Sequence, residues 1–304
     1  MKRTITILIL LFLRISESQS QSKISITIDD VPNYKTSYNL IKVLDKLNIP
    51  IFIFVNEGRP ARDSSPISTN KLLVKWLKRK YINVGNHTKS HLRYSTTELD
   101  TFKQDIINGE KITRKLIKRN NKKLKYFRFP FNDLGSDSNA QQKMSDFLIS
   151  KNYHIAPFTI ESSDWMYNSV YEYFLNEKDT LNAKKIGQDY VEKTIEFIDF
   201  FEKVSLKYFN RNINQIYLCH DNMINTDYLP EIVEKLKNKN YNFIGLEEAL
   251  HDEVYSNKNY YCKKWGISWI YRWIENSEDR KRIMQTEPTT LGIEQLYNTI
   301  QEKK

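Results

Sequence analysis

Short β-like runs alternate with amphipathic helical segments along most of this 304-residue chain, which predicts an α/β fold with a mainly parallel sheet. Two further observations agree. IFIFV (51–55) is a continuous apolar run of the kind buried on both faces of a sheet. Residues are 40% hydrophobic and 13% aromatic, enough for a sizeable core, so disorder is excluded as a default. Pattern alone leaves a barrel and a doubly wound sheet both open.

In order, ISITI (24–28) alternates apolar and polar residues with the period of a strand. SYNLIKVLDKLN (37–48) then sets Leu40, Val43, Leu44 and Leu47 on one helical face. After IFIFV, NKLLVKWLKRK (70–80) repeats the helical spacing through Leu73, Trp76 and Leu77, and YINVG (81–85) is the next strand. A long helix is expected from about STTELDTF (95–102), with Ser95 or Thr96 as its cap. KYFRF, NYHIAPF and INQIYLCH continue as strands, the last after a long helical region through EKTIEFIDFFEKV. YLPEIVEKLKNK and YNFIGL complete the alternation. From about residue 251 the composition becomes rich in Trp and Tyr (KNYYCKKWGISWIYRWIE), followed by a helical TLGIEQLYNTI. These aromatics read first as packing of a C-terminal extension (251–304), with a platform for sugar rings as the rival.

The N-terminus reads separately. Lys2 and Arg3 precede the apolar ITILILLFL, and Ser16, Ser18 and Ser20 follow, the layout of a signal peptide over residues 1–20. An uncleaved anchor is the rival, since Arg14 interrupts the pattern. No cysteine lies there, which disfavours a lipid-modified form. The expectation is an exported chain with a domain over 23–250 and no stable membrane span after cleavage. Export would permit a Cys219–Cys262 disulfide, although Cys219 sits in an apparent buried strand, where a small hydrophobe is the commoner role. The formal charge of +10 is scattered over Lys-rich helices and suits an anionic polymer better than a nucleic acid, for which no recognition module is present. With 8 glycines and no GxGxxG or GxxxxGK[ST], nucleotide chemistry lacks its marker.

Chemistry gathers at strand ends. Asp29 and Asp30 close the first strand, and adjacent like charges there repel unless a cation sits beside them. After another strand, NVGNHTKSHLRYS (83–95) holds His87 and His91, four apart in a chain with 5 His, so that two imidazoles can converge on one ion. Thr88 replaces the glutamate of HExxH, which disfavours a zincin protease. Two His and one Asp make a three-ligand hydrolytic centre with an open position, and the second aspartate stays free to take a proton.

Together these motifs resemble the polysaccharide deacetylase family with its NodB-homology domain. TIDDVP, HTKSH, FRFPF, SSDWMY and IYLCHDN are similar to its five motifs and occur in family order between residues 26 and 222. The resemblance implies a distorted (β/α) barrel with a C-terminal helical extension, and a metal-dependent hydrolase that removes N-acetyl groups from glycan amino sugars. Asp30, His87 and His91 would bind one divalent metal, by preference Zn2+. Asp29 would be the general base, His220 the general acid, Arg128 the partner of Asp29, and Asp164 the group that orients and tunes His220. The metal and the backbone N–H that follows Pro130, that of Phe131, would serve the oxyanion, with Trp165 and Leu218 shaping the acetyl pocket. Asn86 and Asp221 flank site residues, while His154 and His251 read as structural. Departures from the pattern are Ile28 for a usual Phe, the delay of Gly to Gly135, and Cys219 with Asp221 and Asn222 around His220. The delay suggests that Asn132 and Asp133 alter a sugar groove bordered by 131–135 and 164–168. The alternatives are an O-acetyl esterase on a glycan such as xylan, and a binding-only descendant.

Overall fold

The computed structural model describes residues 21–302, so the signal-peptide reading of 1–20 lies outside it. Eight strands form one parallel sheet: β1 (Lys23–Val31), β2 (Ile51–Val55), β3 (Ile82–Asn86), β4 (Tyr126–Phe127), β5 (His154–Ile155), β6 (Ile160–Glu161), β7 (Gln215–His220) and β8 (Asn242–Phe243). Their order is β5-β4-β3-β2-β1-β7-β6, with β8 paired to the start of β1. The sheet curls into a half-barrel in which β5 and β6 are not paired, which is the distorted (β/α) barrel. The choice left open by pattern is thereby made.

Two apolar layers explain the strand sequences. Ile24, Ile26 and Ile28 of β1 join Ile51, Ile53 and Val55 of β2 and Leu40 and Leu44 of the helix Ser37–Leu47 in the layer between sheet and helices. Phe52, Phe54, Ile216 and Leu218 belong to a second, inner cluster. The alternation in ISITI therefore does not mark a wet face, because Ser25 and Thr27 are buried too. Thr27 donates to the Tyr217 carbonyl (2.9 Å) and accepts from Arg128 (2.7 Å), so the polar positions of β1 form a wired interior row that ends at Asp29. Truncating Ile26 to Ala in that fully buried setting costs about 2–5 kcal/mol.

The long helix expected from residue 95 is instead two. Tyr94–Thr96 is a 3₁₀ turn, the first helix runs Leu99–Asn108, and a second spans Lys111–Ile117. Ser95 caps neither, because its N–H and hydroxyl bind the buried Asp133 carboxylate. The break falls at Gly109, where a Cβ would overlap the Thr88 backbone, so the helix stops to let the loop after β3 approach. Glu57 accepts the N–H groups of Ile112 (2.9 Å) and Thr113 (2.6 Å) and caps the second helix.

Past residue 250 come the short helix Trp269–Trp273 and the helices Ser277–Met284 and Leu291–Gln301. Trp273 packs edge-on against Tyr255 and Phe209 at 5.3 and 5.9 Å, while Trp265 stays exposed. Cys219 and Cys262 are unpaired, with Cys219 buried in β7. No helix among the described residues is long and apolar enough to cross a membrane.

Candidate metal and catalytic site

The site begins with a defect in β1. Register with β2 shifts between Ile28 and Val31, and Asp30 takes a left-handed backbone (φ 60°). Successive strand residues ordinarily face opposite sides. The bulge breaks that rule and lets both carboxylates line the same cleft. A cis Val31–Pro32 bond follows.

The two aspartates have different neighbours. Asp29, almost fully buried, accepts from Arg128 Nη1 at 2.9 Å. Arg128 is itself wholly buried, donates Nη2 to the Pro157 carbonyl (2.8 Å), and lies 4.1 Å above the Phe54 ring. Asp30 turns to the histidines, with Oδ1 3.3 Å from His91 Nε2 and 3.8 Å from His87 Nε2, which is also 3.9 Å from Asp29 Oδ2. Arg59 donates to the Asp30 backbone carbonyl.

HTKSH is a tight loop, not a helix, and hydrogen bonds fix its turn. The Thr88 hydroxyl accepts the His91 N–H (3.1 Å), and Asn86 Oδ1 accepts the Thr88 N–H (2.8 Å). Asp105 accepts the Ser90 N–H at 3.0 Å, closing the turn with Thr88 and His91 left-handed. His87 Nδ1 lies 2.8 Å from the Arg128 carbonyl. A carbonyl only accepts, so Nδ1 carries the proton and Nε2 presents its lone pair to the cleft.

Residues Asp30, His87 and His91 fit a metal. One ligand atom from each lies within 4.8 Å of the others. Donors about 2.0–2.1 Å from one tetrahedral zinc stand about 3.3–3.4 Å apart, close to the Asp30–His91 separation. Asp30 Oδ1 is buried and has no hydrogen-bond partner among the described residues, the state of an acceptor reserved for a cation. Burial pushes Asp30 up, but His91, Arg59 and His87 outweigh it and hold the carboxylate below its usual range. Burial pulls His91 down to about 4, so its imidazole is neutral and free to ligate.

Opposite this trio, β7 ends at His220, level with Asp29 of β1. His220 Nδ1 is 2.6 Å from Asp164 Oδ1, and its N–H donates to Asp164 Oδ2 at 2.8 Å. Asn222 (3.0 Å) and Asn225 (2.6 Å) also donate to Asp164, so that carboxylate orients His220 and does not cap its own helix, Asp164–Asn176. Burial lowers the His220 pKa, yet Asp164 more than reverses this and raises it to about 10. Asp221 ties the end of β7 to the start of the helix Ser37–Leu47 by accepting from Asn33 N (2.9 Å), Thr36 Oγ1 (2.7 Å) and Ser37 Oγ.

A cleft of about 550 Å³ joins these groups, lined also by Phe131, Trp165 and Leu218. Pro130 opens a 3₁₀ turn that sets Phe131 left-handed (φ 57°), with its ring 4.6 Å from His91 and under Arg93 at 4.2 Å. Phe131 and Trp165 remain 46% and 48% exposed at the mouth, whereas Leu218 is buried. Asn132 lines the cleft as expected, but Asp133 does not: it is fully buried and accepts from Ser95 and Gly135. The groove border at 131–135 therefore narrows to Phe131 and Asn132. At 164–168, Trp165 and Asn168 line it. His154 and His251 are exposed and not part of the lining.

Sequence reasoning passed over Thr27, Arg59 and Glu161. Thr27 is two residues before Asp29, so strand period alone places it on the same side. Glu161 lines the cleft with its pKa pushed up to about 7, by burial first and then by Asp164; nothing in its two-residue strand signalled it.

The model of a family described as polysaccharide deacetylase matches residues 16–147, which hold the first three motifs. That match covers less than half of the chain, and over it the chain is similar to the polysaccharide deacetylase family. Solved structures of the same fold cover a larger share of the chain. The catalytic domain of a peptidoglycan N-acetylglucosamine deacetylase from Eubacterium rectale is 17% identical, with a TM-score of 0.53, covering 75% of this chain and 90% of that one. The peptidoglycan deacetylase PdaC from Bacillus subtilis is 21% identical, with a TM-score of 0.50 and coverages of 77% and 93%. A CE4 family pseudoenzyme from Bacillus anthracis is 16% identical, with a TM-score of 0.53 and coverages of 76% and 66%. No protein of curated function matches. The fold shared with these structures extends beyond the stretch that the family model matches.

Proposed function

We propose that this protein is an exported, metal-dependent hydrolase that removes N-acetyl groups from amino sugars of a cell-envelope or extracellular polysaccharide. The observation that carries the proposal is the division of the Asp29–Asp30 pair, one carboxylate held by Arg128 and the other facing two imidazoles. Every acid, base and ligand position is filled, which favours activity over a binding-only descendant.

Asp30, His87 and His91 would hold a zinc ion, which would supply Lewis acidity for activating water at neutral pH and polarising an acyl carbonyl. Asp29 takes a proton from the attacking water, held in position by the charge-assisted hydrogen bond from Arg128. The water oxygen bonds to the acetyl carbon, and the Phe131 N–H donates to the oxyanion, a contact worth about 3–4 kcal/mol. His220, charged at neutral pH beside Asp164, gives its proton to the sugar nitrogen as the C–N bond breaks. Acetate and a free amine leave. Trp165 and Leu218 bound the space for the acetyl methyl. The basic surface draws in anionic polymer.

Mature, zinc-loaded protein is to be given N-acetylated oligosaccharides, peptidoglycan fragments and acetylated xylan, with acetate and amine quantified together. Equal rises in both are expected on amino sugars. Acetate without amine, confined to xylan, would replace the proposal with an O-acetyl esterase.

A further inference from the structure

The C-terminal extension packs Tyr297 against Trp165 (5.3 Å) and reaches the candidate cleft itself at Gly266. Gly266 lines the cleft, and a Cβ on it would overlap the Phe131 carbonyl oxygen and crowd Asn132 Cβ. Both of those residues are left-handed, at φ 57° and 49°, an uphill conformation for non-glycine residues, phenylalanine above all. Such a backbone persists only where its surroundings force it. Hydrogen bonds from Asn132 N to Phe129 O (3.0 Å) and Asp133 N to Pro130 O (3.2 Å) hold the turn from within. Gly266 closes it from outside.

The strand of chain that carries Gly266 is itself braced. Arg272 is wholly buried, and no carboxylate among the described residues pairs with it. Its guanidinium donates to the carbonyls of Tyr261 (3.1 Å), Trp265 (3.0 Å) and Ile267 (3.4 Å), gathering residues 261–267 around one cation. A buried charge without a counter-ion is costly unless its donors are fully used, so this one is spent on shape. Ser268 Oγ to Thr159 O (2.6 Å) and Trp269 N to Phe158 O (3.0 Å) then anchor the strap to the barrel just before β6.

We infer that the strap 261–272 is a working part of the site: Arg272 holds it, and Gly266 sets the position of the Phe131 N–H and of the ring against His91. Gly266 and Arg272 are positioning residues. The inference rests on the deacetylase reading for what Phe131 does, while the mechanical link is independent of it.

The test compares Gly266→Ala, Arg272→Met and, as a control on the same strap, Trp265→Ala, which removes an exposed indole. Hydrogen exchange of the 129–135 backbone is followed alongside zinc content, kcat and KM. Gly266→Ala and Arg272→Met should speed exchange of 129–135 about tenfold or more and lower kcat about 10- to 100-fold, the cost of misplacing a donor by a fraction of an ångström to an ångström. Zinc content and KM stay near wild type, and Trp265→Ala changes neither exchange nor kcat. Should Arg272→Met not fold, Gly266→Ala decides. Unchanged exchange at 129–135 in Gly266→Ala, or a kcat loss matched by an equal loss of zinc and folded protein, overturns the inference. A wild type inactive on every glycan sinks the deacetylase reading instead, and exchange still decides the strap.

Discussion

Asp164 holds His220 twice, through the imidazole Nδ1 at 2.6 Å and through the backbone N–H at 2.8 Å. The first contact sets charge and the second sets position. Raised to about 10, the His220 pKa keeps the imidazole protonated across neutral pH, as a general acid requires.

A dependence of stability on pH follows from that shift. A histidine with a raised folded-state pKa contributes stability that is complete below about pH 6.5 and is lost as pH rises through about 10. Asp164→Asn should therefore destabilise the protein on the order of 3 kcal/mol at pH 6, and little near pH 10–11. Melting curves at the two pH values check it, together with an NMR titration of His220, which should fall toward the ordinary histidine range in the variant. A penalty independent of pH contradicts the pairing.

Arg128 supports Asp29 from within the barrel, and its removal leaves a buried carboxylate without its cation. Arg128→Met should cost about 3–5 kcal/mol in denaturant unfolding. With its partner gone, the Asp29 carboxylate loses its anchor in the barrel, so kcat should fall about 10- to 100-fold. An unchanged kcat in a folded variant would separate Arg128 from Asp29.

Metal removal gives a third expectation. A chelator should abolish turnover, and zinc should restore it, because Asp30 Oδ1 is otherwise left without a partner. Zinc at about 100 times its Kd should add about 2.7 kcal/mol of stability, visible as a raised Tm that His91→Ala abolishes. A Tm indifferent to zinc contradicts the assignment of the trio.

How much of this was legible in sequence depends on the length of each signal. The alternation of runs such as IFIFV and SYNLIKVLDKLN showed the parallel α/β class, because 5- and 11-residue elements carry a full period. The strand β6 has two residues, too few to show any period, yet it sets Glu161 and Asp164 beside β7. The Asp pair and HTKSH were visible as residue types, but the bulge that turns both carboxylates to one side needs register with β2 to be seen. Ser95 looked like a helix cap because its hydroxyl suits that role; the buried Asp133 carboxylate, remote in sequence, took it first. The reach of Gly266 to Phe131 spans 135 positions and left no local trace.

The most direct measurement is zinc content and acetate release in parallel for wild type, Asp29→Asn and His87→Ala. Asp29→Asn should keep its zinc and lose turnover by about 100-fold to 10,000-fold, whereas His87→Ala should lose both. Equal zinc loss in the two variants would contradict the division of labour between Asp29 and Asp30 on which the account stands.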